Sequence, residues 1–314
     1  MNKTFSKIVA VGGGTGTSKV LAGLKSYDLD LTGIISTMDS GGSTGILRES
    51  FSIPAVGDLR RALGSLASDD PLTSKLAKFL EYRFPKNSEL NGHSLGNLLI
   101  LSALLKNQKN LSLAIEDVSA LLKIKGRVIP VATSPSSLYA KLTNGEVLEN
   151  ESSIDTRKSG LESSISEVWI NPQINANPEA LAAINQADTI IIGPGDLYTS
   201  IIPNFLVKDI SEAISNSKSK IVYIANISNK IEETANYRLS DFLKVIIKYI
   251  GNSIVFDGVI VNQSSDVIEF PIEYDFETCQ RLTKQIYTSN IKSENNNNTH
   301  DSKKLGEILY KILN

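Results

Sequence analysis

The residues that could do chemistry sit where apolar runs end. Ile8-Val9-Ala10-Val11 stops at Gly12-Gly13-Gly14-Thr15-Gly16-Thr17, and Ser18-Lys19-Val20-Leu21-Ala22-Gly23-Leu24 then carries apolar residues at helical spacing. A strand, a glycine turn and a helix start together build an anion site. Glycine lets backbone approach a ligand, and the first unpaired helix amides point at it. Thr15, Thr17 and Ser18 can cap the helix or donate to a phosphate oxygen. Thr17 stands where the dinucleotide fingerprint has its third glycine, and Ser18 precedes Lys19 where a phosphate-loop ATPase requires glycine. A phosphate-bearing ligand and a structural tight turn both fit this stretch.

Further constellations follow the same arrangement. Leu29 to Ser36 reads as a second strand and runs into Asp39-Ser40-Gly41-Gly42-Ser43-Thr44-Gly45. Asp39 stands about where a ribose-binding acid is expected, or it helps hold a metal or a phosphate-bound water; a solvated turn is the plainer alternative. Gly57-Asp58-Leu59-Arg60-Arg61 opens a helix. Asp58 suits an N-terminal cap, and the two arginines suit either solvent or a diphosphate, whose geometry guanidinium matches. His93, one of two histidines (the other is His300), lies in Asn91-Gly92-His93-Ser94-Leu95-Gly96-Asn97 at another helix start. That setting favours a ligand contact. A third buried-strand pattern, Ala187 to Ile192, ends in Gly193-Pro194-Gly195-Asp196-Leu197-Tyr198-Thr199-Ser200.

Positioning these loops requires alternating strands and helices, hence an α/β fold with a mostly parallel sheet, in which all three strand-end loops share the carboxyl edge. Helices are expected over Pro71 to Glu81, with Leu72, Leu76, Phe79 and Leu80 on one face, and over Leu98 to Leu105, Leu111 to Leu122, Pro178 to Gln186, Lys208 to Ser215, Leu239 to Gly251 and Ser302 to Leu313. Lys220 to Asn226 and Phe256 to Asn262 supply further strands. Between Gly126 and Asn171 the texture changes: Arg127 to Val131 is a short strand, Asn144-Gly145 is a hairpin signal, and Ser166 to Ile170 adds another strand. We read 126–171 as an inserted β subdomain, with 1–125 and 172–314 forming the main nucleotide-binding domain. Ser293 to Thr299 is low-complexity and reads as a mobile loop.

Composition narrows the class. The chain has 314 residues, enough for a sizeable core, with 41% hydrophobic and 21% charged residues. A net charge of −2 gives no electrostatic reason to expect nucleic acid or anionic membrane as a partner. A single cysteine, Cys279, excludes an intrachain disulfide framework and a cysteine-based zinc cluster. No apolar run reaches the ~20 residues that span a bilayer. Met1 to Ser6 runs straight into the first strand, so no signal peptide is expected there and a cytoplasmic protein is. Oligomeric state stays open, a homo-oligomer included.

Taken in order, Gly12 to Gly16, Asp39 to Arg48, Gly57-Asp58-Leu59-Arg60, His93-Ser94-Leu95-Gly96-Asn97-Leu98 and Gly193 to Asn204 resemble the superfamily joining bacterial gluconeogenesis factors to 2-phospho-L-lactate transferases (the CofD-like, UPF0052 proteins). The resemblance covers roughly Lys7 to Val261, and the last two motifs favour the gluconeogenesis-factor branch. It implies a Rossmann-like sheet with an added subdomain and, in the bacterial branch, a bound UDP-sugar serving regulation of carbon metabolism and cell-wall synthesis, and so cell shape. The transferase branch implies magnesium, a nucleotide-activated phospholactate and a deazaflavin acceptor. Carried onto this chain, the motifs nominate Gly12, Gly13, Gly14, Thr15, Gly16, Thr17, Lys19, Asp39, Gly41, Gly42, Ser43, Arg48, Gly57, Asp58, Arg60, His93, Asn97, Gly193, Gly195, Tyr198 and Thr199 as ligand contacts. Asp39 and Asp58 would be the catalytic acids and the magnesium ligands. This chain departs from the pattern at Ser40, usually aspartate, at Ile46, usually arginine, at Arg61, usually asparagine, and at Glu232 to Tyr237, where Ala235 replaces an acid. A nicotinamide-dependent oxidoreductase, suggested only by the first glycine loop, is the third reading.

Overall fold

The apolar run after Lys7 becomes the middle of a parallel sheet. A computed structural model of the chain describes residues 5–90, 92–158, 162–264, 267–294 and 298–313. In chain order the strands are β1 (Lys7–Gly12), β2 (Asp30–Ile35), β3 (Arg127–Pro130), β4 (Ser137–Leu142), β5 (Val147–Glu149), β6 (Ile165–Asn171), β7 (Thr189–Ile192), β8 (Lys220–Ile224), β9 (Gly258–Asn262) and β10 (Ile286–Ser289). Seven of them form one sheet in the order β10-β9-β8-β7-β1-β2-β3, with every pairing parallel. The remaining three form a small antiparallel sheet, β5-β4-β6. The chain is thus a Rossmann-like α/β protein with a small added β sheet.

Helices cover both faces of the main sheet, because its central strands are apolar on both sides. On β1, Val9 and Val11 join one core while Ile8 and Ala10 join the other, the period-two alternation of a strand buried between two layers. Helices α1 (Gly14–Leu24), α2 (Gly42–Phe51), α3 (Gly57–Leu66), α4 (Pro71–Leu80), α5 (Leu95–Lys106) and α6 (Leu111–Leu121) supply residues to the second core, together with the terminal helix Ser302–Leu313. The antiparallel sheet packs against the first core through Leu138, Ala140, Val168 and Ile170, beside helices Pro178–Gln186 and Leu239–Ile250. Capping follows the sequence: Asp70, Ser94 and Asn177 accept backbone amides of Thr73, Asn97 and Glu179, and Pro71 and Pro178 stand in the first turns.

Several elements differ from the sequence reading. Arg127–Pro130, assigned there to the insert, is an edge strand of the main sheet, paired with Thr32–Ile35; the antiparallel part begins only at Ser137. A four-residue strand carries too little pattern to say which sheet it joins. The glycine-rich stretch after Asp39 is not all loop, for α2 starts at Gly42. Its glycines lower helix propensity, but tertiary contacts of Ser43, Thr44 and Leu47, all buried, override that preference. The edge strand β10 has no expected counterpart in the sequence, because none of its four residues is fully buried and Thr288 is exposed. Of the four apolar residues expected on one face of α4 only Leu80 is buried, whereas Leu72 and Phe79 are exposed. The low-complexity segment at 293–299 lies in part outside the described residues, as does Asn91.

Candidate functional site

β1 is flanked by β2 on one side and β7 on the other, and the connections from these neighbours run in opposite directions across the sheet. This is a topological switch point, where open α/β sheets form a crevice beyond the strands' carboxyl ends. Gly14, Asp39 and Gly195, one from each loop, line a single cavity of about 880 Å³ there. Three helix N-termini open onto it: Gly14 to Gly16 of α1, Gly42 to Thr44 of α2, and Gly57 with Asp58 of α3. The dipoles of these helices and the amides left unpaired at their ends favour negative charge. The first and third loops are in direct contact, since a Cβ on Gly16 would stand 2.2 Å from the Pro194 carbonyl oxygen. The third loop is clamped to the end of β8 by Asn226, which accepts from the Gly195 amide (3.2 Å) and donates to the Gly195 carbonyl (2.9 Å).

The acids on the wall are already engaged. Asp58 is buried, and its Oδ1 accepts from the Arg61 guanidinium one turn along α3. Its Oδ2 lies against Gly13, and the Gly14 amide also donates to the carboxylate. Burial raises the Asp58 pKa, Arg61 opposes that rise, and Asp39 adds to it. Asp39 Oδ1 accepts from the Gly41 amide at 2.8 Å, while its Oδ2 packs over Gly57, 2.5 Å from where a Cβ would be. Glu151, at the start of the short helix Glu151–Asp155, accepts from the Ser40 amide. Burial and then the neighbouring Asp39 charge push its pKa up to about 8. Arg48 lies outside the cavity wall and straps the loop from behind, donating to the carbonyls of Met38, Asp39 (2.9 Å) and Ser136.

Magnesium held by Asp39 and Asp58 together does not fit this arrangement. A hard cation needs carboxylate oxygens turned toward it. Here both Asp58 oxygens face protein groups, and the Arg61 guanidinium already interacts with both acids. A second acid group, Asp155, Asp196 and Glu233, brings three carboxylates within metal-binding range of one another. It surrounds the Lys230 ammonium, which contacts Asp155 and lies 2.8 Å from Asp196 and 3.4 Å from Glu233. Burial alone would lower the Lys230 pKa, but Glu233 and Asp196 raise it.

The α2 end of the cavity is built by side chains reaching from α3 and α5. Asn97 donates to Ser43 Oγ (3.1 Å) and to Thr44 Oγ1 (3.4 Å), and its Oδ1 accepts from Arg60 Nε at 3.1 Å. Arg60 is buried and pairs with Glu81. His93 is not on the wall; its Nδ1 shares a hydrogen bond with Ser43 Oγ at 2.9 Å, so it positions Ser43.

Of the nominated residues, Gly14, Thr15, Gly16, Lys19, Asp39, Gly41, Gly42, Ser43, Gly57, Asp58, Arg60, Asn97, Gly195 and Thr199 line the cavity. Gly12, Gly13, Thr17, Arg48, His93, Gly193 and Tyr198 do not. Thr17 is buried beneath the first loop. The Tyr198 amide and the Thr199 hydroxyl donate to Glu233, and the Tyr198 hydroxyl bonds that of Tyr237. Glu151, Asn226, Lys230 and His300 also face the cavity and were not nominated. His300 is buried, with Nε2 hydrogen-bonded to the Ala225 carbonyl, and burial together with Lys19 lowers its pKa to about 4. Nothing local distinguishes it from a surface histidine in a polar tail.

With this geometry in place, comparison with known proteins is informative. The model of the family 2-phospho-L-lactate transferase CofD matches residues 8–292. The chain belongs to the CofD family. Within it, a Thermotoga maritima relative is 40% identical over 321 residues, spanning 98% of this chain and 99% of its own. The Bacillus subtilis gluconeogenesis factor is 35% identical over 319 residues and covers 98% of both chains. A solved structure of a UPF0052 family protein from Bacillus halodurans superposes with a TM-score of 0.88 at 33% identity, covering 98% of this chain and 100% of that one. Among the described residues no helix is long and apolar enough to cross a membrane.

Proposed function

We propose that this CofD-family chain binds a diphosphate-containing nucleotide, a UDP-sugar, and acts as a cytoplasmic regulator of carbon metabolism and cell-wall synthesis in the manner of gluconeogenesis factors. The observation that carries this reading is the convergence of three helix N-termini on one cavity at the switch point of the sheet. The cavity is large enough for a nucleotide and its appended sugar. The name of the Bacillus subtilis relative, gluconeogenesis factor, supports the link to carbon metabolism. Thermal unfolding with UDP-sugars, with guanosine nucleotide plus deazaflavin and magnesium, and with NAD separates the classes. A cognate ligand at ~100 times its Kd stabilises by about 2.7 kcal/mol. Stabilisation by NAD alone would reject this reading in favour of an oxidoreductase.

A second reading, transfer of a phospholactate group to a deazaflavin acceptor, is favoured by the family model and by Asp39 and Glu151 facing the cavity. Turnover with those substrates that disappears in Asp39→Asn would decide for it.

A further inference from the structure

The cavity presents a charge problem. Its wall carries seven acids, three of them (Asp39, Asp58 and Glu151) around the α1–α3 termini, against the cations Lys19, Arg60, Arg61, Arg83 and Lys230, and the ligand proposed above is itself an anion. Charge must be supplied close to where the diphosphate sits, and a divalent cation is the usual source. Of the carboxylate pair suited to such a cation, Asp58 is instead paired with Arg61, whose charge Asp39 also feels.

We propose that the Arg61 guanidinium takes the place of a divalent cation in this chain, so that the diphosphate of its ligand binds without metal. The inference rests on the diphosphate reading and adds the source of the compensating charge.

Position comes first. Arg61 stands in the first turns of α3, whose N-terminus opens on the cavity, and its side chain lines the wall. It is partly exposed there, at 33%, whereas its partner Asp58 is 7% exposed. One Nη1 contact goes to Asp58 Oδ1, and among the described residues Nε and Nη2 have no further partner. Guanidinium has five N–H donors in a planar fork that matches two phosphate oxygens at once, and it stays charged at any working pH. Asp58 thus holds one arm of the fork at the cavity wall and leaves the other donors for a ligand.

Three of the other cations are held by protein groups, and Arg83, also on the wall, donates to the Gly92 carbonyl at 3.2 Å from beyond α4. Arg60 is held by Glu81 and Asn97, Arg48 by three backbone carbonyls, and Lys230 by three carboxylates. Lys19, on α1, lies on the wall by His300 and can meet the ligand from the other side of the first loop. Asp58 cannot turn an oxygen to a metal without giving up the Arg61 or Gly14 contact, and Asp39 has Oδ1 on the Gly41 amide, leaving Oδ2 alone.

Calorimetry decides the matter, with UDP and inorganic pyrophosphate as probes, in EDTA and in saturating magnesium. For the wild type, affinity for each probe should differ by less than about twofold between the two conditions, and magnesium titrated alone should give no heat of binding. Arg61→Ala should lose about tenfold or more in EDTA, and magnesium should restore part of it because Asp39 and Asp58 become available. Because Arg61→Ala leaves Asp58 buried without its partner and can unfold the chain, Arg61→Lys is the paired variant. It keeps the charge but not the fork, and should stay folded, bind several-fold more weakly and remain indifferent to magnesium. A wild type that binds either probe only with magnesium overturns the proposal, as does an Arg61→Lys variant with wild-type affinity in EDTA. Pyrophosphate binding in EDTA without UDP binding would retain Arg61 and remove the nucleotide; UDP binding only with magnesium would do the reverse.

Discussion

Gly16 and Pro194 touch through backbone alone: the Gly16 Cα faces the Pro194 carbonyl so closely that a Cβ there would stand 2.2 Å from the oxygen. This contact joins the loops after β1 and β7. Gly16→Ala must therefore push the two loops apart, and backbone cannot yield as a side chain does. The variant should lose about 1–3 kcal/mol of stability and bind nucleotide more weakly. Gly64→Ala, in the interior of α3 with nothing nearer than 4.0 Å, is the control and should be neutral or slightly stabilising. Denaturant unfolding of the two variants compares them directly; equal midpoints would show that the loop contact imposes no constraint.

Gly14 has φ +64°, and a Cβ on it would meet Ser200 Oγ at 3.2 Å. A β-branched residue is strained at such an angle. Gly14→Val should fold less stably and lose about tenfold in nucleotide affinity, on the order of 1.4 kcal/mol. Wild-type affinity by calorimetry would reduce the loop to a turn.

Asn97 satisfies Ser43, Thr44 and Arg60 at once. Its removal in Asn97→Ala leaves a buried guanidinium donor unmet and frees the first turn of α2. We expect a loss of about 2–3 kcal/mol in urea unfolding together with weaker ligand binding. A drop in binding with unchanged stability would mean that Asn97 only contacts the ligand.

His300 is held neutral by burial, with a pKa near 4 against an ordinary 6.5. Between these values the unfolded chain binds more protons than the folded one, so stability is complete above pH 6.5 and falls as pH drops toward 4. The loss approaches about 3 kcal/mol. In His300→Gln, whose amide can still donate to the Ala225 carbonyl, this part of the acid slope should vanish. An unchanged profile of unfolding free energy between pH 4 and 7 would count against it.

Glu151 works in the opposite direction. Its pKa of about 8 lies above the usual 4.5, so the folded chain holds the extra proton, and stability is lost as pH rises from 4.5 through 8. Burial first, then Asp39, are the causes, with Asp155 and Asp58 adding to them. Glu151→Gln should raise stability at pH 8 by up to about 4 kcal/mol and change little at pH 4. Equal gains at both pH values would show that charge is not the cause.

Local pattern by itself determined the α/β class, the parallel sheet and the cluster of three strand-end loops. Ile8 to Val11, Ala187 to Ile192 and Lys220 to Asn226 are long enough apolar runs to have no other use than buried strands, and the glycines and hydroxyls that end them mark where such strands stop. Gly14, Asp39, Asp58, Asn97 and Gly195, far apart in the motifs, meet at one cavity. Only the tertiary structure decided which of the nominated residues face the cavity and which hold the others. His93 turned out to support Ser43, Arg48 to strap the Asp39 loop, and Tyr198 to anchor on Glu233 and Tyr237, because those roles depend on partners about 10 to 50 residues away. Glu151 and Lys230 enter the site from segments without a motif, since the antiparallel insert and the Ile231–Thr234 helix fold over the cavity from a distance. The state of the acids was equally hidden: Asp58 beside Arg61 reads in sequence as a cap followed by surface charge. Only burial makes the pair a fixed charge unit, because the same residues in water would interact weakly and face anywhere.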